Sequence, residues 1–125
     1  MSMIKMPIKF EGSLGAAMVE TLVDVGVTFS CISTKLADSL EVSTKMKRAL
    51  EANSSSKDAI VKIKKKVVLD FYYNDVRMSD EFLVVPGLSE EVILGGTTLQ
   101  KWRIKIDFGK DMIVVDPKAT KISLP

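Results

Sequence analysis

Asp24 is the residue around which chemistry could be built. It closes the apolar run Leu22-Val23 and opens Val25-Gly26-Val27-Thr28-Phe29-Ser30. Asp and Gly are both poor strand residues, so setting them between two β-favouring stretches puts a carboxylate where a strand gives way to a loop. Asp-x-Gly also occurs in ordinary turns, and the tripeptide alone does not separate the two readings. The rest of the composition narrows the chemistry. The chain has no histidine and a single cysteine, Cys31. Ser-His and Cys-His nucleophilic pairs are therefore excluded, as are histidine-ligated zinc, cysteine-cluster metal sites and an intrachain disulfide. Any catalysis would have to draw on carboxylates, hydroxyls, lysines and backbone groups, and no cofactor or metal is expected. Cys31 itself reads as a small buried core residue.

A chain of 125 residues is expected to form one domain over 1–125, large enough to bury a core without staples. Lysine and arginine number 18 against 16 acidic residues, a net charge of +2 that gives no reason to expect a nucleic-acid partner. Much of the excess lies in Lys62-Ile63-Lys64-Lys65-Lys66, whose alternation suggests a solvated strand face. No apolar run approaches the ~20 residues of a membrane span, and the start of the chain carries no signal-peptide core. A soluble, cytoplasmic protein without membrane partners is the expectation.

The elements that must position Asp24 are mostly strands. Ile4, Met6, Ile8 and Phe10 mark one buried face of a first strand, with Pro7 arguing for an edge position. Ala16 to Val23 forms a second strand, delivering Asp24 to its end. Thr28 to Ile32 resumes β character, and Ser33 caps a short helix through Leu40. Two readings stand open for the next stretch. Met46 to Ala52 and Ala59 to Ile63 pair as a hairpin across Asn53-Ser54-Ser55-Ser56, or Thr44 to Glu51 forms a helix, which its residue types favour. Val67 to Tyr73 and Val76 to Val85 form a hairpin across Asn74-Asp75. Val92-Ile93-Leu94 is a short apolar strand ending on Gly95-Gly96, and Thr97 caps a helical turn through Trp102. Strands follow over Ile104 to Phe108 and Met112 to Val115, then a polar tail from Asp116-Pro117. Many short strands with two short helices predict an all-β, closed, barrel-like domain.

Two pieces of this pattern resemble the signatures of the retropepsin-like aspartic proteases, the family of retroviral and cellular single-lobe enzymes. One is the apolar run into Asp24-Val25-Gly26; the other is the apolar run into glycine at Ile93-Leu94-Gly95. Phe82-Leu83-Val84-Val85-Pro86-Gly87, Leu99 through Trp102 and Ile106-Asp107-Phe108 look especially like the cellular and prokaryotic members. The similarity runs from about Phe10 to Val115.

The resemblance implies a homodimeric aspartic endopeptidase in which Asp24 is the catalytic residue of each subunit and a polypeptide is the substrate. Gly26, Val27 and Thr28 would border the substrate, and Asn53, Ser54, Ser55 and Ser56 would form the tip of a flap closing over it. Val25, Leu94, Gly95 and Thr97 would support the loop and the dimer. Three positions depart from the family pattern. Val25 stands where the family has Thr or Ser bonding across the dimer, Val27 replaces a small residue, and no glycine occurs between Gly26 and Gly87. The alternative function is a catalytically weak or inactive dimer of the same fold that binds extended peptides or serves as an assembly module.

Overall fold

The computed structural model describes residues 3–54 and 59–125. Its first strand, β1 (Met3–Glu11), alternates buried Ile4, Met6, Ile8 and Phe10 with exposed neighbours, as its two-residue period requires. It pairs antiparallel with β2 (Ala16–Asp24) along its whole length, Met3 opposite Asp24 and Glu11 opposite Ala16. Among the described residues, only Lys9–Glu11 of β1 find a second strand neighbour, so Pro7 sits where one side of the strand is unpaired, as a proline requires.

β3 (Cys31–Ser33) is shorter than the sequence suggests, because residues 28–30 belong to the Asp24 loop. Ser33 then caps α1 (Thr34–Leu40), its Oγ accepting the N–H of Leu36 at 3.4 Å. The ambiguous stretch resolves as a hairpin. β4 (Thr44–Ser54) pairs antiparallel with β5 (Ala59–Tyr73), and no helix forms over Thr44 to Glu51. Helix propensities of a few tenths of a kcal/mol per residue are outweighed by pairing with β5 on both sides of a bulge at residues 46–49. β5 turns into β6 (Val76–Val85) through Asn74 and Asp75, whose φ values of 48° and 64° are those of a type I′ hairpin turn.

β7 (Val92–Leu94) lies parallel to β2 and antiparallel to β3. The sheet order β1-β2-β7-β3-β6-β5 closes on itself where Lys9–Glu11 of β1 meet Asp70–Tyr72 of β5, giving a six-stranded barrel with β4 as an outlying edge. Inside it, Phe10, Phe71 and Phe82 are all fully buried. Their ring centroids lie 5.7–6.2 Å apart, two of the three pairs being edge-on.

α2 (Gly96–Lys101) follows, then a separate ribbon of β8 (Lys105–Asp107) and β9 (Met112–Val114). The polar tail contains a 3-10 turn at Pro117–Thr120, with Asp116 accepting from the Lys118 N–H at 2.9 Å. Among the described residues, no helix is long and apolar enough to cross a membrane.

Candidate active site

Asp24 occupies the last position of β2, half-buried. The carboxylate folds back on its own loop: Oδ1 accepts the Gly26 N–H at 2.8 Å, and the Asp24 carbonyl accepts from Val27 N–H at 3.3 Å. This is an Asx-type turn, and it fixes the carboxylate's rotamer with a backbone donor. The loop then arches across the end of β7 and returns into β3, because β7 is hydrogen-bonded to both flanking strands. Val23 stands opposite Leu94 in the parallel register, so Asp24 and Gly95 leave the sheet side by side.

Gly95 is required by close approach. A Cβ there would lie 2.7 Å from both the carbonyl carbon and oxygen of Phe29 and 2.8 Å from the Val27 oxygen, all of them backbone. The same approach caps α2. Gly96 N–H donates to Val27 O at 2.6 Å and Thr97 N–H to Thr28 O at 2.9 Å. The helix therefore begins from Gly95, not from Thr97 as the sequence suggests, because loop carbonyls already satisfy the donors a side-chain cap would take.

A buried polar chain locks the far end of the loop. Gly95 N–H donates to Ser30 Oγ at 3.0 Å, and Thr98 Oγ1 donates to Asp80 Oδ2 at 2.7 Å. Thr98 has spent its proton, so the 2.5 Å contact between Ser30 Oγ and Thr98 Oγ1 has Ser30 as donor. Asp80 also accepts from Glu81 N–H at 2.8 Å and lies 3.6 Å from Lys101 Nζ. Beside it, Trp102 Nε1 donates to Ser79 O at 2.8 Å, pinning the end of α2 to β6. Sequence reading missed Ser30, Asp80 and Thr98. Their partners are remote in sequence, Ser30 and Thr98 by 68 residues, and no local pattern announces such a chain.

Two hollows flank the loop. A groove of about 320 Å³ under the β4–β5 hairpin is lined by Val27, Asn53, Ile63, Pro86 and Ile93, with Cys31. Cys31 is thus half-buried in a groove wall, not a core residue, since β3 begins at the rim. Its burial pushes the thiol up to about 11. The second is an open concavity of about 680 Å³ lined by Val25, Thr28, Gly96, Thr97, Leu99 and Arg103.

Of the residues singled out for substrate, Val27 and Asn53 come together at the groove. Gly26 is exposed on the loop, and Thr28 lines the other hollow with Val25. Ser54 ends β4, while Ser55 and Ser56 lie outside the described residues. Leu94 is fully buried behind the loop, and Thr97 is exposed beside it. Among the described residues, no cluster of acidic and cysteine side chains could hold a metal ion.

A family model described as aspartyl protease matches residues 6–98 of the chain. No curated protein sequence matches it. Among solved structures, the chain is similar to the retroviral protease-like domain of Ddi1 from Leishmania major. The TM-score is 0.66 at 16% identity, with 93% of this chain and 90% of that one covered. The architecture is that of a retropepsin-like lobe, as the resemblance implies, and the closed β-barrel is what the strand pattern predicts.

Gly95→Ala should lower stability by about 1–3 kcal/mol, since the methyl group meets backbone that cannot step aside. Gly96→Ala, whose Cβ would meet nothing nearer than the Val25 oxygen at 3.5 Å, should be neutral or stabilising within α2. Urea unfolding of both variants checks the contrast; equal effects would remove close approach as the cause. Cys31, with its thiol raised to about 11, should be alkylated by iodoacetamide at pH 8 on the order of 100-fold more slowly than an unhindered thiol. The rate should keep climbing past pH 10, and a plateau near pH 9 would contradict the burial argument.

Proposed function

The chain belongs to the aspartyl protease family, and from that premise we propose that it is an aspartic endopeptidase working as a homodimer, with one Asp24 from each subunit. The observation that carries this reading is the Asp24 loop. A half-buried carboxylate at a strand end is oriented by its own backbone and backed by Leu94 and Gly95. Its loop reaches the groove of about 320 Å³ through Val27.

One carboxylate cannot perform the hydrolysis alone. Two carboxylates a few ångströms apart resist ionising together and hold one proton between them. The ionised member takes a proton from the attacking water, and the protonated member donates to the scissile carbonyl. The groove would hold the substrate strand, with Val27 and Ile93 meeting its side chains and the β4–β5 hairpin shielding the reaction from water.

The exposed apolar residues support self-association. Val25 and Phe29 on the loop are 54% and 53% exposed, and Met3, directly opposite Asp24 in the β1–β2 register, is 49% exposed. Ile122 and Leu124 add exposed apolar surface in the tail. Exposed apolar residues of this kind are what a two-fold partner would cover.

Val25 favours a second reading, a dimer of the same fold that binds peptides without cutting them, because it brings no hydroxyl to brace two loops together. Cleavage of an unfolded protein between roughly pH 3 and 8, alongside sedimentation, separates the readings. Wild type should cleave and sediment as a dimer. Asp24→Asn should stay folded and dimeric but lose cleavage, because an amide cannot share the proton. A strict monomer would overturn the endopeptidase reading, and a dimer that cleaves nothing would favour the peptide-binding one. Val25→Thr should tighten the dimer by about 1–3 kcal/mol and raise specific activity at low concentration. Unchanged association constants in a dilution series would mean that valine packing alone suffices.

A further inference from the structure

The charge of this chain is unevenly placed. Between Thr44 and Lys66 lie 8 of its 18 basic residues and 2 of its 16 acidic ones, leaving the remainder with more acids than bases. Lys45, Lys47 and Arg48 sit exposed on β4, and Lys62, Lys64 and Lys65 sit exposed on β5. Among the described residues, the basic side chains between Thr44 and Lys66 make one ion pair, Lys66 with Glu81 at 2.9 Å. Lys45 stands directly opposite Lys65 in the ladder, a like-charge pairing that costs stability. The barrel has no use for that arrangement, because β4 lies outside its closure.

The register explains how the lysines gather. Lys45 pairs with Lys65 and Leu50 with Ile63, so residues 46–49 bulge opposite Lys64 alone. Lys62, Lys64 and Lys65 then line one hollow of about 260 Å³ with Thr34, Val84 and Pro86. Pro86 also lines the peptide groove, and alternation along β5 puts Val61 and Ile63 in that groove and Lys62 and Lys64 in the cationic hollow. The two sites share a wall.

We propose that the β4–β5 hairpin binds a run of Asp or Glu side chains in the polypeptide substrate, next to the segment held in the groove. The consequence for substrate choice rests on the endopeptidase reading; the binding itself does not. Carboxylates fit what the hollow offers, which is several ammonium groups, a hydroxyl and an apolar floor. Nucleic acid fits less well. No aromatic residue occurs between Thr44 and Lys66 to stack on a base, only one of the cations is an arginine, and the rest of the chain is net acidic.

The test uses Asp24→Asn protein, which binds without cutting, and a fluorescein-labelled 12-residue peptide carrying six glutamates, against its six-glutamine counterpart. At low salt the glutamate peptide should bind at least tenfold more tightly, and the difference should collapse near 0.5 M salt. The triple variant Lys62→Gln, Lys64→Gln, Lys65→Gln should lose at least tenfold in affinity with an unchanged circular dichroism spectrum. The remote pair Lys110→Gln, Lys118→Gln should bind as the parent does. Equal affinity for the two peptides, or a triple variant that binds as the parent, would overturn the proposal. So would a single-stranded oligonucleotide of equal charge that binds more tightly than the glutamate peptide. Absence of cleavage by wild type would leave a positive binding result standing, whereas cleavage without acidic binding would sink this inference alone.

Discussion

The contact on which the site depends is the approach of the Asp24 loop to the backbone after β7. Three backbone atoms of Val27 and Phe29 would come within 3 Å of any side chain at position 95. With glycine there, the loop packs onto β7 and hands two carbonyls to the start of α2. The strand pairings set up that contact. Asp24 emerges beside Gly95 because β2 and β7 are in register, and the loop returns into β3 because β7 pairs with that strand as well. A three-residue strand is ordinarily marginal, but Val92, Ile93 and Leu94 are each at most 9% exposed, all three pair with β2, and Val92 and Ile93 pair with β3 as well. One of the barrel's two three-residue strands is therefore the one that supports the Asp24 loop.

The buried hydroxyl chain extends this support away from the loop. Ser30, Thr98 and Asp80 come from the loop, α2 and β6, so their side chains add a further tie among three elements already joined by backbone hydrogen bonds. Each buried donor has an acceptor, and the chain ends on a carboxylate with a lysine nearby. Breaking one link would leave a buried polar group unsatisfied, which costs more than the link itself contributes. The arrangement holds the loop at both ends, by the Asx turn at Asp24 and by Ser30.

Most of the scaffold was legible because its signals are local. The period of two in β1, the Asn74-Asp75 turn and the Ser33 cap each depend on a few neighbouring residues. The apolar triplet before Gly95 and the Asp-Val-Gly at position 24 were legible as a pair, because the two segments match one family pattern. What was not legible depends on partners elsewhere in the chain. Residues 44–51 carry helix-forming types, and only the presence of β5 makes them a strand. Thr97 has the chemistry of a cap, but carbonyls from a loop some 70 residues earlier take the role. Cys31 looks like core by type, and its place on a groove wall follows from where β3 begins.

The bracing within one chain changes what the loss of a hydroxyl at position 25 means. In the proposed dimer, a threonine there would serve two purposes, steadying its own loop and bonding to the partner's. Here the first purpose is already met by contacts inside the subunit: the Gly26 N–H on Asp24, the two carbonyls on α2 and the Ser30 chain. Val25 makes none of these and lies exposed at the edge of the open concavity. A methyl group in place of a threonine's hydroxyl would therefore subtract from association in the proposed dimer while leaving the carboxylate's geometry alone. It also adds apolar area to the face a partner would cover, about 25 cal/mol for each Å² buried. The two effects oppose each other, and a valine here is compatible with a dimer held by packing where the family uses hydrogen bonds.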